Sequence, residues 1–348
     1  MVIVIKPGTQ QQYMDDIVRL LESKGLKVHL SVGESRTIIG VIGDKSVLSG
    51  VNIGLLPGVE KIVPITENYK LASKAFRPEG SVVKVGGRSV GGREFAMIAG
   101  PCAVESREQI FEAARIARAG GAQFLRGGAY KPRTSPYAFQ GLEKEGLKLL
   151  REAASEYGLL TVSELVSESL IDEAAAYLDV IQIGARNAQN FRLLKETGRS
   201  GIPVLLKRGI AETIDEWLAS AEYIMSEGNY NIILCERGIR TFETATRNTL
   251  DISAIAVVKE KSHLPLIIDP SHAAGKAAYI PSLSRAAVAA GADGLMIEVH
   301  PNPKAALSDA SQQLGEEEFL SLCRDIAKFA AASGREYDLF EGNGGGKC

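Results

Sequence analysis

The chain has 348 residues, 45% hydrophobic and 24% charged, enough for one large core beside a smaller one and too apolar for a disordered chain. Its 40 Lys and Arg against 42 Asp and Glu leave a formal charge of -2, which argues against a general nucleic-acid or membrane-surface binder, so any basic patch is local. No targeting pattern opens "MVIVIKPGTQ", no apolar run approaches the ~20 residues that span a bilayer, and Cys102, Cys235, Cys323 and Cys348 form no CxxC pair; the expectation is a soluble, cytoplasmic protein.

In chain order, "VIVIK" (2–6), an amphipathic run over 10–23, "LKVHLSV" (26–32), "TIIGVIG" (37–43), a weak helical run near 46–55 and "VEKIVPI" (59–65) read βαββαβ. That order predicts a small ferredoxin-like α+β domain over 1–66, either a stabilising appendage or a ligand sensor. A linker and hairpin follow over 67–94, with Gly86-Gly87 and Gly91-Gly92 as turns.

From Phe95 onward apolar strands alternate with helical stretches. The strands are "FAMIAG", "AQFLRGG", "LLTVSEL", "DVIQIGA", "PVLLKRG", "NIILCERG", "LPLIIDP" and "GLMIEVH". Repeated βα units with such continuously apolar strands predict an α/β fold, a (β/α)8 TIM barrel over 95–335. An open doubly wound sheet competes, but no strand is followed by GxGxxG. The glycine-rich end of "REYDLFEGNGGGKC" predicts a flexible tail over 336–348, with Cys348 exposed.

Each strand ends in a chemical group: Cys102, Arg126, Glu164, Arg186, Lys207, Arg237, Asp269 and Glu298, in sequence order. In a barrel these tips share one concave mouth. Arg126, Lys131, Arg133, Arg186, Lys207 and Arg237 would then crowd together and repel one another unless anions neutralise them, and phosphate or carboxylate suits them best. Thr134 adds a hydroxyl between Pro132 and Pro136 in a stiff loop. The bland alternative for any one cation is a solvated rim residue, and Lys144 and Arg208 fit it.

Cys102, His272, Glu298 and Asp309 have the flavour of metal ligands. A thiolate, an imidazole and two carboxylates suit a borderline divalent ion. Taken singly, Cys102 reads as an inert buried thiol, and His272 and Asp309 as cap or turn residues. His300 reads as a partner beside Glu298, and Cys235 as packing.

The motifs "AGPCAVES", "LRGGAYKPRTSPYAFQG", "IQIGARNAQNF", "LLKRG", "ILCERGIRTFE", "TRNTLDISA", "IDPSHAAG" and "IEVHPNP" together resemble the 3-deoxy-D-arabino-heptulosonate 7-phosphate (DAHP) synthase family over about 95–330. The first domain resembles the N-terminal extension of one subgroup of that family. The resemblance implies a transferase of the shikimate pathway that condenses phosphoenolpyruvate with erythrose 4-phosphate and water, releasing phosphate. It implies Cys102, His272, Glu298 and Asp309 as ligands of a divalent Mn, Fe, Co, Zn or Cd ion. Phosphoenolpyruvate falls to Arg126, Lys131, Arg186, Lys207 and Arg237 with the backbone at Gly184 and Ala185, and to Glu164 through water. Erythrose 4-phosphate falls to Lys131, Pro132, Arg133, Thr134 and Asp269, and Lys131, or in its place a metal-bound water, delivers the proton to the aldehyde oxygen. Feedback inhibition by tyrosine or phenylalanine at the N-terminal domain and a homotetramer are implied as well. Two rivals remain at this point: the sister 3-deoxy-D-manno-octulosonate 8-phosphate synthase, which uses arabinose 5-phosphate, and a metabolite sensor without catalysis. "KPRTS" favours the four-carbon sugar, and the intact ligand quartet argues against a sensor.

Overall fold

The structure is a computed structural model that describes residues 1–33, 37–48, 50–63, 68–131 and 137–339. The chain divides into two compact units, 1–81 with 259–263 and 82–258 with 264–348.

In the first unit β1 (Val2–Ile5), β2 (Lys27–Val32), β3 (Thr37–Ile42) and β4 (Val59–Val63) form one antiparallel sheet in the order β2-β3-β1-β4, the ferredoxin-like arrangement. The helix Gln11–Ser23 buries Met14, Ile17 and Leu21, three and four residues apart, so that one stripe meets Ile3, Ile5 and Ile39 of the sheet. Where the pattern predicts a weak second helix, the chain makes two short 3-10 turns, Lys45–Leu48 and Ile53–Leu55. The reason is local: "VLSGVNIG" supplies β-branched residues and two glycines, one of them, Gly50, at φ +88°.

The second unit opens with the hairpin β5 (Val83–Val85) and β6 (Arg88–Val90), turned by Gly86 and Gly87 at φ +50° and +81°. Its Val83, Val85 and Val90 pack with Ala96, Phe124 and Val180, the first residues of three barrel strands, and so plug the end at which the strands begin. The barrel comprises β7 (Ala96–Gly100), β8 (Phe124–Arg126), β9 (Leu160–Leu165), β10 (Val180–Ile183), β11 (Val204–Lys207), β12 (Ile232–Glu236), β13 (Leu266–Ile268) and β14 (Gly294–Glu298). All eight run parallel, and β14 closes on β7 with Glu298 opposite Gly100. Helices lie between successive strands, among them Arg107–Ala119, whose N-cap Ser106 accepts from the Gln109 amide.

The tail differs from expectation. Phe95 N donates to Glu336 O at 2.8 Å, Glu336 N donates to Arg93 O at 2.7 Å, and the buried Tyr337 ring meets Phe95 edge-on at 5.7 Å. Tyr337 is a large apolar anchor, so 336–339 dock on the barrel instead of fraying; 340–348, with Cys348, lie outside the described residues. Among the described residues no helix is long and apolar enough to cross a membrane.

Candidate active site

The closed barrel brings the strand tips to one cavity of about 570 Å3, lined by Lys131, Glu164, Gly184, Ala185, Arg186, Lys207, Arg237, His272 and Asp309 of the predicted set. Arg126 stands behind its wall, fully buried, with Nη1 donating to Glu298 Oε1 at 2.5 Å and to Pro101 O at 2.9 Å. Pro132, Arg133 and Thr134 lie outside the described residues.

Strand geometry explains who faces inward. Side chains alternate along a strand, so Lys207 ends β11 pointing into the barrel while Arg208 points away. Arg208 is not solvated, contrary to expectation: it is buried between Glu236 Oε2 at 3.0 Å and Asp251 Oδ2 at 2.9 Å. Lys144 does lie exposed on the helix Glu143–Glu156, 2.7 Å from Glu173. Gly184 has ordinary dihedrals, φ -73° and ψ 159°, but a Cβ there would sit 1.9 Å from Glu164 Oε1. The glycine is therefore a matter of space: the Glu164 carboxylate occupies that position.

At the deep end, one ligand atom from each of Cys102, His272, Glu298 and Asp309 lies within 4.8 Å of all the others. Cys102 follows β7, Glu298 ends β14, and His272 sits in the short helix Pro270–Ala274 after β13, which Asp269 caps by accepting from His272 N at 3.0 Å. Asp309 adopts φ 52°, a left-handed backbone that costs most residues energy and that Asp tolerates better than most. Burial and the nearby Glu298 carboxylate push the Cys102 thiol up to about 11, with Lys131 offsetting part of this. Burial alone would raise Glu298, but His272 and Arg126 hold it below the ordinary carboxylate value. Asp309 is likewise held down by Arg247 and His272 against burial. Burial lowers the His272 pKa although Asp269 and Glu298 pull the other way, and Lys207, 2.6 Å from Asp269 Oδ2, is a second countercharge of Asp269.

Two features fit a metal ion to this quartet. His272 turns Nδ1 to Asp269 Oδ2, 2.7 Å away, which leaves Nε2, 3.4 Å from Glu298 Oε1, to face the other donors. The donor set itself, one sulfur, one nitrogen and two carboxylates held low in pKa, is that of a borderline divalent cation.

The cations divide into paired and unpaired. Lys131 Nζ donates to Cys102 O at 2.9 Å and to its Sγ at 3.0 Å. Arg237 is buried and donates to Gly238 O at 3.3 Å; burial lowers its pKa although the charge of Asp269 acts the other way, and it forms no ion pair among the described residues. Such a guanidinium calls for an anion from outside the chain.

Several residues here escaped the sequence reading. Arg240, Arg247 and Asn248 line the cavity, and Arg247 Nη1 reaches Asp309 Oδ2 at 3.1 Å. Gln312 Nε2 donates to Glu298 Oε2 at 2.6 Å and Gln313 Oε1 accepts from Cys102 N at 3.2 Å. Arg240 lies inside the quoted motif "ILCERGIRTFE" and Arg247 and Asn248 inside "TRNTLDISA", while the signal for Gln312 and Gln313 was only their place three and four residues after Asp309. His300, read as a partner of Glu298, instead places Nε2 3.3 Å from Glu105 Oε2 and accepts from Asn302 N at 3.0 Å, because the strand ends at Glu298 and the chain turns away. Cys235 is buried in the barrel core, as its packing role requires.

Residues 79–330 match the model of the DAHP synthetase I family, and residues 1–67 match that of the DAHP synthase ferredoxin-like domain. The chain belongs to the DAHP synthetase I family. It is 51% identical over 334 residues to the phospho-2-dehydro-3-deoxyheptonate aldolase of Thermotoga maritima, covering 96% of this chain and 99% of that one. The crystal structure of that DAHP synthase matches with a TM-score of 0.77 at 49% identity, over 97% of this chain and 99% of the other. A 2-dehydro-3-deoxyphosphooctonate aldolase of Syntrophotalea carbinolica is 34% identical over 64% of this chain and 86% of its own length, a more distant relation. The family is metal-dependent, implies phosphoenolpyruvate and erythrose 4-phosphate as substrates, and places the chain among the transferases of the shikimate pathway.

Proposed function

We propose that this barrel condenses phosphoenolpyruvate with D-erythrose 4-phosphate and water to give DAHP and phosphate, and that the small domain regulates it. The observation that carries the reading is the meeting of the Cys102, His272, Glu298 and Asp309 donors within 4.8 Å, beside a cavity that also holds the buried Arg237, which forms no ion pair among the described residues.

Cys102, His272, Glu298 and Asp309 would hold the divalent ion, Mn, Fe, Co, Zn or Cd, which would supply Lewis acidity toward the sugar aldehyde or the water that adds at C2. Arg186, Lys207 and Arg237 grip the phosphate and carboxylate of phosphoenolpyruvate, with Arg126 behind them and the Gly184 and Ala185 backbone and Glu164 beside them. These cations are fixed before substrate arrives, in a site poor in water, so they stabilise charge on the reacting and departing phosphate without reorganising. The nucleophile is C3 of phosphoenolpyruvate, which attacks the aldehyde carbon. Lys131, whose ammonium stands over Cys102, delivers a proton to the aldehyde oxygen. The loop with Pro132, Arg133 and Thr134 receives the sugar phosphate, and Asp269 serves the sugar hydroxyls near the metal. No covalent enzyme intermediate is required.

The whole-chain identity to a heptonate enzyme favours erythrose 4-phosphate over arabinose 5-phosphate, since the octulosonate enzymes match at only 29–34%. The ferredoxin-like unit binds tyrosine or phenylalanine as a feedback signal, and the enzyme works as a cytoplasmic homotetramer. The test is steady-state phosphate release from phosphoenolpyruvate with each aldose, with and without EDTA, tyrosine and phenylalanine. Turnover with arabinose 5-phosphate alone overturns the substrate assignment, and turnover unchanged by exhaustive chelation overturns the metal mechanism.

A further inference from the structure

Glu298 is buried with no access to water, and each of its oxygens has its own donor. Oε1, the oxygen 3.4 Å from His272 Nε2, takes Arg126; Oε2 takes Gln312 Nε2 at 2.6 Å. The other end of the same amide, Gln312 Oε1, accepts from Arg247 Nη1 at 2.8 Å, and that nitrogen is also 3.1 Å from Asp309 Oδ2. The orientation of the amide follows from chemistry: a carboxylate only accepts and a guanidinium only donates, so nitrogen must face Glu298 and oxygen must face Arg247. Gln312 is therefore the one-residue strut between the two carboxylates of the quartet, reaching Glu298 directly and Asp309 through Arg247.

The strut and a ligand share one short turn. Asp309 enters the 3-10 turn Ala310–Gln312 from its left-handed conformation, so Gln312 comes back toward the barrel axis three residues later. Gln313, next in line, holds the Cys102 backbone with Oε1 at 3.2 Å and Ser308 O with Nε2 at 2.8 Å. One turn thus carries one ligand and braces two others.

Resting on the metal reading above, we infer that Gln312 is a positioning residue for the metal centre: it fixes the rotation of the Glu298 carboxylate so that Oε1 faces His272. Without it, Glu298 Oε2 loses its hydrogen bond in a buried site, and the carboxylate is free to turn. Partners of this kind, which orient a ligand without touching the ion, cost roughly 10–100-fold in metal affinity when removed.

The test uses the full chain stripped of metal and titrated with Co2+, read by the thiolate-to-cobalt absorption band that Cys102 supplies. Gln312→Met keeps the shape of the side chain and removes both hydrogen bonds; the Co2+ dissociation constant rises ~10–100-fold while the metal-free protein melts close to wild type. Gln312→Asn keeps the amide but is one methylene too short to reach both Glu298 and Arg247, and it carries the same expectation should the methionine variant fail to fold. A dissociation constant unchanged in a folded variant overturns the inference, as does a lowered melting temperature with unchanged Co2+ binding, which would make Gln312 a packing residue. A wild-type chain that shows no thiolate band at any Co2+ concentration overturns the metal reading itself, and this inference with it.

Discussion

Gly184→Ala tests the phosphoenolpyruvate subsite with one methyl group. The backbone at Gly184 is ordinary, φ -73° and ψ 159°, so alanine adds no dihedral strain and its effect is spatial. Its Cβ would stand 1.9 Å from Glu164 Oε1 and 2.5 Å from Glu164 Cδ, and ordinary contact begins near 3.4 Å, so the carboxylate must retreat by about 1.5 Å. It leaves the Gln182 amide, 3.2 Å away, and can move only toward the cavity it lines, because β9 and β10 are hydrogen-bonded on either side. Overpacking costs about 1–3 kcal/mol in a closed core, and the lower end applies here since the displaced group swings into open space. The catalytic cost is larger. A displacement of about 1 Å beside the reacting groups is worth ~100-fold, near 2.7 kcal/mol, and it falls on kcat/KM for phosphoenolpyruvate with the erythrose 4-phosphate KM little changed. Phosphate release with each substrate varied in turn measures this, with a thermal melt as control. A kcat/KM for phosphoenolpyruvate equal to wild type refutes the placement of that substrate against Gly184 and Glu164.

Three further outcomes follow from the same structure. Arg208→Met leaves Glu236 buried without its guanidinium and should destabilise the barrel by about 3–5 kcal/mol in denaturant titrations, whereas replacing an exposed cation such as Lys144 should cost under about 1 kcal/mol. His263 is buried between Ser81 Oγ and Leu71 O, and burial lowers it to about 4 from an ordinary 6.5. The folded chain therefore binds fewer protons than the unfolded one between these values. Stability is complete above about 6.5 and is lost as pH falls toward 4, by about 1.4 kcal/mol per unit and about 3 kcal/mol in all; melts at stepped pH should flatten in His263→Gln. Deleting residues 1–66 should preserve turnover and abolish inhibition by tyrosine and phenylalanine, read by the same phosphate assay; inhibition that persists removes the regulatory role from the small domain.

The barrel was legible because its signal is redundant. Eight buried parallel strands must be rich in apolar residues, and between Ala96 and Glu298 they are, polar exceptions such as Ser163, Glu164 and Gln182 notwithstanding, with a polar-apolar stretch between each and the next. The small domain was legible in its strands and first helix, whose stripe of Met14, Ile17 and Leu21 repeats at helical spacing, but not in its second. There Gly50 and Gly54 among β-branched residues made propensity the better guide than a faint periodicity, and the chain settled into 3-10 turns. The tail was misread for a related reason. "GNGGGKC" coloured the whole segment, although Tyr337, three residues before the undescribed end begins, is an apolar anchor in its own right.

Site residues divide by the kind of position they occupy. Cys102, Lys207, Arg237, Asp269 and Glu298 end strands, and a parallel barrel sends every strand end to one rim, so counting chemical groups at strand ends was sufficient to bring them together. Arg247, Gln312 and Gln313 sit in irregular loops, where no period says which way a side chain points. Their roles depend on hydrogen-bond polarity: an amide is useful beside Glu298 because it can donate to a carboxylate with one end and accept from Arg247 with the other. That polarity also explains why the quartet needs such help. Three carboxylates at and beside the quartet are each matched to a cation, Glu298 to Arg126, Asp309 to Arg247 and Asp269 to Lys207, and each of these pairs pulls its carboxylate toward its own partner. Gathering four donors within 4.8 Å against those separate pulls requires a neutral group that bridges them, and within the ligand loop Gln312 is the one that does.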